Sequence, residues 1–271
     1  MGDNKFTGDM FKVKDGEPIV QLNSADAVRL VKNYHWVYAN SSTKDLEEAK
    51  EESLKLSNAV GSPLILVYLS RHVFFDTHSR NTYPGAFRDS IHLLIKEGAR
   101  SDQLLIAAKS YSVHQVLHAI NNFDDASPAY SYINRILFIG ISPAFGAFGN
   151  VFSSNVARYH SDIQRTSCKF YMIASNDDGI TWRAGGAARR WKSRRSGFKG
   201  DNKVGKAIEE NYGKRVKVIT INGANHPMDD YLECGLVDAM RRCGNESGFQ
   251  TIRNILNPDL CLANKKGDLW W

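Results

Sequence analysis

The sequence predicts an α/β protein built on a mostly parallel central sheet flanked by helices. Short apolar runs alternate with helical stretches along the chain, the pattern of strand–helix crossover units. Most of those runs are continuously apolar, as strands covered on both faces are. The 271 residues are 42% hydrophobic and 24% charged, which suits one large domain with a sizeable core and argues against global disorder.

The chain opens on a hairpin. Residues 11–14 (FKVK) and 19–22 (IVQL) flank Asp15-Gly16, a strong turn dipeptide. Residues 35–39 (HWVYA) form a strand of aromatic and β-branched character. A charged helix spans 43–60, with Thr43 as its cap and an imperfect apolar stripe of Leu46, Ala49, Leu54, Leu56 and Ala59. Strand 64–69 (LILVYL) follows, then helix 86–97, ending near Gly98. Strand 104–108 (LLIAA) leads into helix 113–120. The second half continues with strand 136–141 (ILFIGI), helix 152–163, strand 170–174 (FYMIA), helix 204–211, strand 216–221 (VKVITI) and helix 228–241. The tail, 245–271, is weakly patterned and breaks at Asn257-Pro258.

No apolar run approaches the ~20 residues of a membrane-spanning helix. The polar start MGDNKFTGDMFKVKDGE has no signal-peptide core, and Cys168, Cys234, Cys243 and Cys261 contain no Cys-x-x-Cys pair. The expectation is a cytoplasmic protein with free thiols and no structural zinc, with non-classical secretion left open. The net charge of +6 is localised. Residues 180–200 hold Arg183, Arg189, Arg190, Lys192, Arg194, Arg195 and Lys199 with no acid, so the remainder is close to neutral. That argues against a general nucleic-acid coat and for a local anion-binding patch.

Three polar residues follow apolar runs at small-residue turns. Ser110 lies in Ala108-Lys109-Ser110-Tyr111-Ser112, Asp177 in Ala174-Ser175-Asn176-Asp177-Asp178, and His226 in Gly223-Ala224-Asn225-His226. Residues just past the carboxyl ends of parallel strands converge in one crevice, so these three should meet at one edge. A serine hydroxyl needs a base within hydrogen-bond reach, histidine titrates near operating pH, and an acid fixes the imidazole tautomer. Each residue alone also has an ordinary reading, as a helix-capping serine, a turn aspartate or a loop histidine. Ser112 is a second candidate nucleophile and Asp178 an alternative acid.

The order Ser, Asp, His at strand ends resembles the α/β-hydrolase superfamily, over roughly residues 11–241, as an order of elements. The family's Gly-x-Ser-x-Gly elbow corresponds here to residues 108–112, with both glycines replaced by the small residues Ala108 and Ser112. Gly223-Ala224-Asn225-His226 is close to the Gly-x-x-His turn that carries the base in many members. The resemblance implies a single α/β-hydrolase-like domain, 1–271, working as a serine esterase with no cofactor and no metal. It also implies an oxyanion hole made by the backbone N–H groups of Tyr111 and of the 40–42 loop, at Ser41. The family commonly inserts its cap where this chain has fewer than thirty residues, between Ile141 and Phe170. Little or no cap is expected, with Phe145, Phe148, Val151 and Phe152 forming a small apolar lip.

The basic segment follows Asp177 closely and interleaves Trp182, Trp191 and Phe198 with its arginines. It is expected near the active-site edge, where Arg183, Arg189, Arg190, Arg194 and Arg195 could hold an anionic or amphipathic substrate or an anionic surface. A solvated basic loop is the plainer reading. His114 and His118 share a helix face but lack the intervening glutamate of a metalloprotease helix. The functional expectation is hydrolysis of an ester or thioester, of a small molecule or a lipid, through an acyl-enzyme. The alternative is an inactive hydrolase-fold binding module that uses residues 183–199 to bind an anionic partner.

Overall fold

The computed structural model describes residues 9–40, 45–68, 79–100, 104–110, 112, 116, 119, 135–140, 169–175, 177 and 216–244. They form one eight-stranded sheet and the helices that cover it. The strands are β1 (Asp9–Val13), β2 (Val20–Gln21), β3 (Trp36–Asn40), β4 (Leu64–Tyr68), β5 (Leu105–Lys109), β6 (Arg135–Ile139), β7 (Lys169–Ser175) and β8 (Val216–Ile221). Their order is β2-β1-β4-β3-β5-β6-β7-β8. β1 runs antiparallel to β2 and β4, and every pairing from β4 to β8 is parallel.

Alternate side chains go to opposite faces, as the two-residue strand period demands. Val37, Ala39, Ile65, Val67, Ile106 and Ala108 face one core. Trp36, Tyr38, Leu64, Leu66, Leu105 and Ala107 face the other. All twelve are fully buried, which is why these strands read as unbroken apolar runs. Helices α1 (Ala25–Arg29) and α3 (Ser79–Lys96) cover the first face, together with buried Val116 and Ala119. α2 (Leu46–Val60), α4 (Met228–Glu233) and α5 (Leu236–Gly244) cover the second.

Several boundaries differ from the sequence expectation. α2 begins at Leu46 under Asp45, whose carboxylate accepts from the Glu48 N–H at 2.9 Å; Thr43 lies outside the described residues. Aspartate caps a helix at least as well as threonine and places a negative charge at the positive end of the helix dipole. The buried face of α2 is Ala49, Ser53, Leu56, Ser57 and Val60, while Ala59 is exposed. Two serines are tolerated there because Ser53 Oγ donates to Ala49 O (2.7 Å) and Ser57 Oγ to Ser62 O (2.9 Å). α3 starts at Ser79, earlier than the apolar periodicity indicates. α1 has no counterpart in the sequence reading, although Ser24 is its cap and accepts from the Ala27 N–H. The single helix expected over 228–241 is two, because Gly235 takes φ +100, a left-handed conformation open to glycine and closed to a continuing helix. The helices expected over 152–163 and 204–211 and the tail 245–271 lie outside the described residues.

Candidate active site

β5 ends at Lys109, and Ser110 turns away from the sheet at φ +53. It has a left-handed backbone without being glycine, and among the described residues it is alone in this. Such a conformation costs about 1–2 kcal/mol and persists where its surroundings over-determine it. The Ser110 N–H is fixed by Ile139 O of β6 at 3.0 Å. Beyond the turn, Ser112, Val116 and Ala119 are helical and buried, a 4–3 spacing that keeps one face on the sheet. The path is strand, strained turn, helix, and it leaves Ser110 half-buried at the turn. Ser112, the second candidate nucleophile, is fully buried in that helix.

His226 comes from the loop between β8 and α4, and its Nε2 lies 2.9 Å from Ser110 Oγ. The other ring nitrogen, Nδ1, is the one a triad acid would take. The loop is tied down from two sides. Ser175, at the end of β7, donates its hydroxyl to Ala224 O at 2.6 Å and accepts from the Asp177 N–H at 3.2 Å. Asp177 Oδ2 accepts from the Gly223 N–H at 2.7 Å, and Asp230 Oδ2 from the Asn225 N–H at 3.1 Å. Gly223 needs its missing side chain. Its φ is +86, a backbone conformation that residues with a side chain rarely adopt.

Ser110 and His226 are therefore brought together across 116 positions of sequence. Asp177 is at the same edge, but among the described residues its carboxylate holds the backbone of the histidine loop rather than the imidazole. Asp178, Tyr111, Ser41, His114, His118 and the arginines Arg183, Arg189, Arg190, Arg194 and Arg195 lie outside the described residues. Ser175 and Asp230 are structural partners that sequence reading missed. For Asp230 a signal existed, as an acid in the first turn of the helix after the histidine.

A buried polar cluster lies under the Ser110 turn. Glu52 of α2 accepts from Lys109 Nζ at 2.7 Å, from Asn40 Nδ2 at 2.9 Å and from the Tyr38 hydroxyl. Burial, with the Glu52 charge adding to it, holds the Tyr38 hydroxyl well above the usual phenol range, so it remains a neutral donor.

The same fold occurs in solved esterases. An acetyl ester-xyloside bifunctional hydrolase from Caldicellulosiruptor lactoaceticus superposes with a TM-score of 0.52 at 10% identity, over 80% of this chain and 84% of that one. Thermogutta terrifontis esterase 2 phosphonylated by cyclosarin gives 0.51 at 9%, over 89% of each chain. Its native form gives 0.50 at 10%, over 89% of this chain and 88% of that one. At such identities the likeness is one of fold. No protein-family model matches the chain, and no curated protein matches it.

Proposed function

Since the chain has an α/β-hydrolase-like fold, we propose that it is a serine hydrolase acting on an ester or thioester. One observation carries the reading: a serine with a left-handed backbone at the end of β5, whose Oγ lies 2.9 Å from His226 Nε2. His226 takes the Ser110 proton as Oγ attacks the acyl carbon, and the oxyanion is held by the N–H groups of Tyr111 and Ser41. The tetrahedral intermediate expels its alcohol or thiol, which leaves with the proton from Nε2. Water then attacks the acyl-enzyme, again through His226, and frees the acid and Ser110. The acid that orients the imidazole and stabilises its charged form comes from the turn after β7: Asp177, whose carboxylate accepts from the Gly223 N–H, or its neighbour Asp178.

With fewer than thirty residues between Ile141 and Phe170 for a cap, an open site is expected, which suits an ester of a larger molecule. The basic aromatic segment favours an anionic or amphipathic one, such as a lipid ester. The solved esterases of the same fold agree with ester chemistry.

A fluorophosphonate probe tests the reading. Wild-type protein takes one covalent label at Ser110, and Ser110→Ala takes none. Label that persists in Ser110→Ala moves the nucleophile elsewhere. A folded wild type that stays unlabelled is a binding module instead.

A further inference from the structure

Glu52 is joined to the ends of two neighbouring strands. Ala39 of β3 pairs with Ala108 of β5, so Asn40 and Lys109 are neighbours one step further on. Both bind the Glu52 carboxylate, one to each oxygen, and Tyr38 of β3 adds a third donor. The Lys109 side chain is 4% exposed, and Tyr38 and Asn40 are fully buried. A buried lysine–glutamate pair is a weak source of stability, because well-packed hydrocarbon of the same shape does as well or better. Hydrocarbon cannot supply a fixed direction. Lys109 immediately precedes Ser110, whose left-handed backbone needs neighbours that hold it there. Asn40 immediately precedes Ser41, the expected oxyanion donor.

We propose that Glu52 is a positioning residue, whose carboxylate clamps the carboxyl ends of β3 and β5 together and so fixes the Ser110 turn relative to the strand that leads into the oxyanion loop. The inference rests on the serine-hydrolase reading. It predicts a loss of reaction rate without a loss of binding when the clamp is removed, since a misplacement of about 1 Å can cost about 100-fold.

The experiment measures fluorophosphonate labelling rates for wild type, Ser110→Ala and the double variant Glu52→Leu with Lys109→Met. The double variant removes both charges together, which avoids leaving one buried and unpaired. The expected result is a cooperative unfolding transition in the double variant, a labelling rate at saturating probe reduced about 10- to 100-fold, and half-saturation within about twofold of wild type. A folded double variant labelled at the wild-type rate overturns the clamp and leaves the hydrolase reading standing. If the double variant does not fold, the nearly isosteric Glu52→Gln decides in the same assay by the same outcomes. An unlabelled wild type overturns the reading and the clamp with it.

Discussion

Ser110 combines two demands in one residue. Its backbone occupies a region that favours glycine, and its hydroxyl makes a contact with His226 that glycine cannot make. A comparison of Ser110→Gly with Ser110→Ala isolates the backbone term, because both lose the hydroxyl and its contact with His226. The glycine variant should be more stable by about 1 kcal/mol in urea unfolding. Equal midpoints would show that the turn is unstrained. The meeting of Ser110 with His226 is legible in sequence because each lies in the turn that follows an apolar run, and parallel strands deliver their ends to one edge. Glu52 is not legible. It sits in a helix beside Glu47, Glu48 and Glu51, and only the fold selects it to face a lysine 57 positions away.

At the level of elements, the histidine loop is the informative piece. Three hydrogen bonds, from β7, its following turn and α4, hold it, and the Asp177 carboxylate supplies one of them. Asparagine at 177 keeps an oxygen for the Gly223 N–H and removes the charge. With Asp177 as the orienting acid, Asp177→Asn should lower kcat about 10,000-fold while the unfolding midpoint stays close to wild type. Asp178→Asn should then do little. The reverse ranking would assign the acid role to Asp178. Helix boundaries are the least legible feature here. The end of α4 depends on one glycine at 235, and the start of α2 on whether Asp45 or Thr43 takes the cap. Local residues offer both options, and packing against the sheet chooses.

For the whole molecule, the double-faced sheet buries phenols as well as hydrocarbon. Burial raises the hydroxyl pKa of Tyr38 and of Tyr171 above the usual 10. The folded state therefore holds protons that the unfolded chain gives up first. Stability from these two groups is complete below pH 10 and falls as pH rises past it. Urea midpoints at pH 8 and pH 11 should show that decline, with the native fold weaker at pH 11; identical midpoints would exclude it. The sheet itself is legible because its central strands are buried on both sides and carry no ambiguous alternation. The hydrogen bonds of Ser175 and Asp230 that brace its edge are not, since polar loops leave no periodicity to read.

The separation of 116 positions between the serine and its histidine has a kinetic corollary. Closing so large a loop is entropically late in any assembly route, and three parallel strand pairings, β5 to β8, intervene. On the serine-hydrolase reading, a chain in which β8 has not yet joined the sheet carries a serine without its base, and nucleophilicity arrives only with that last strand.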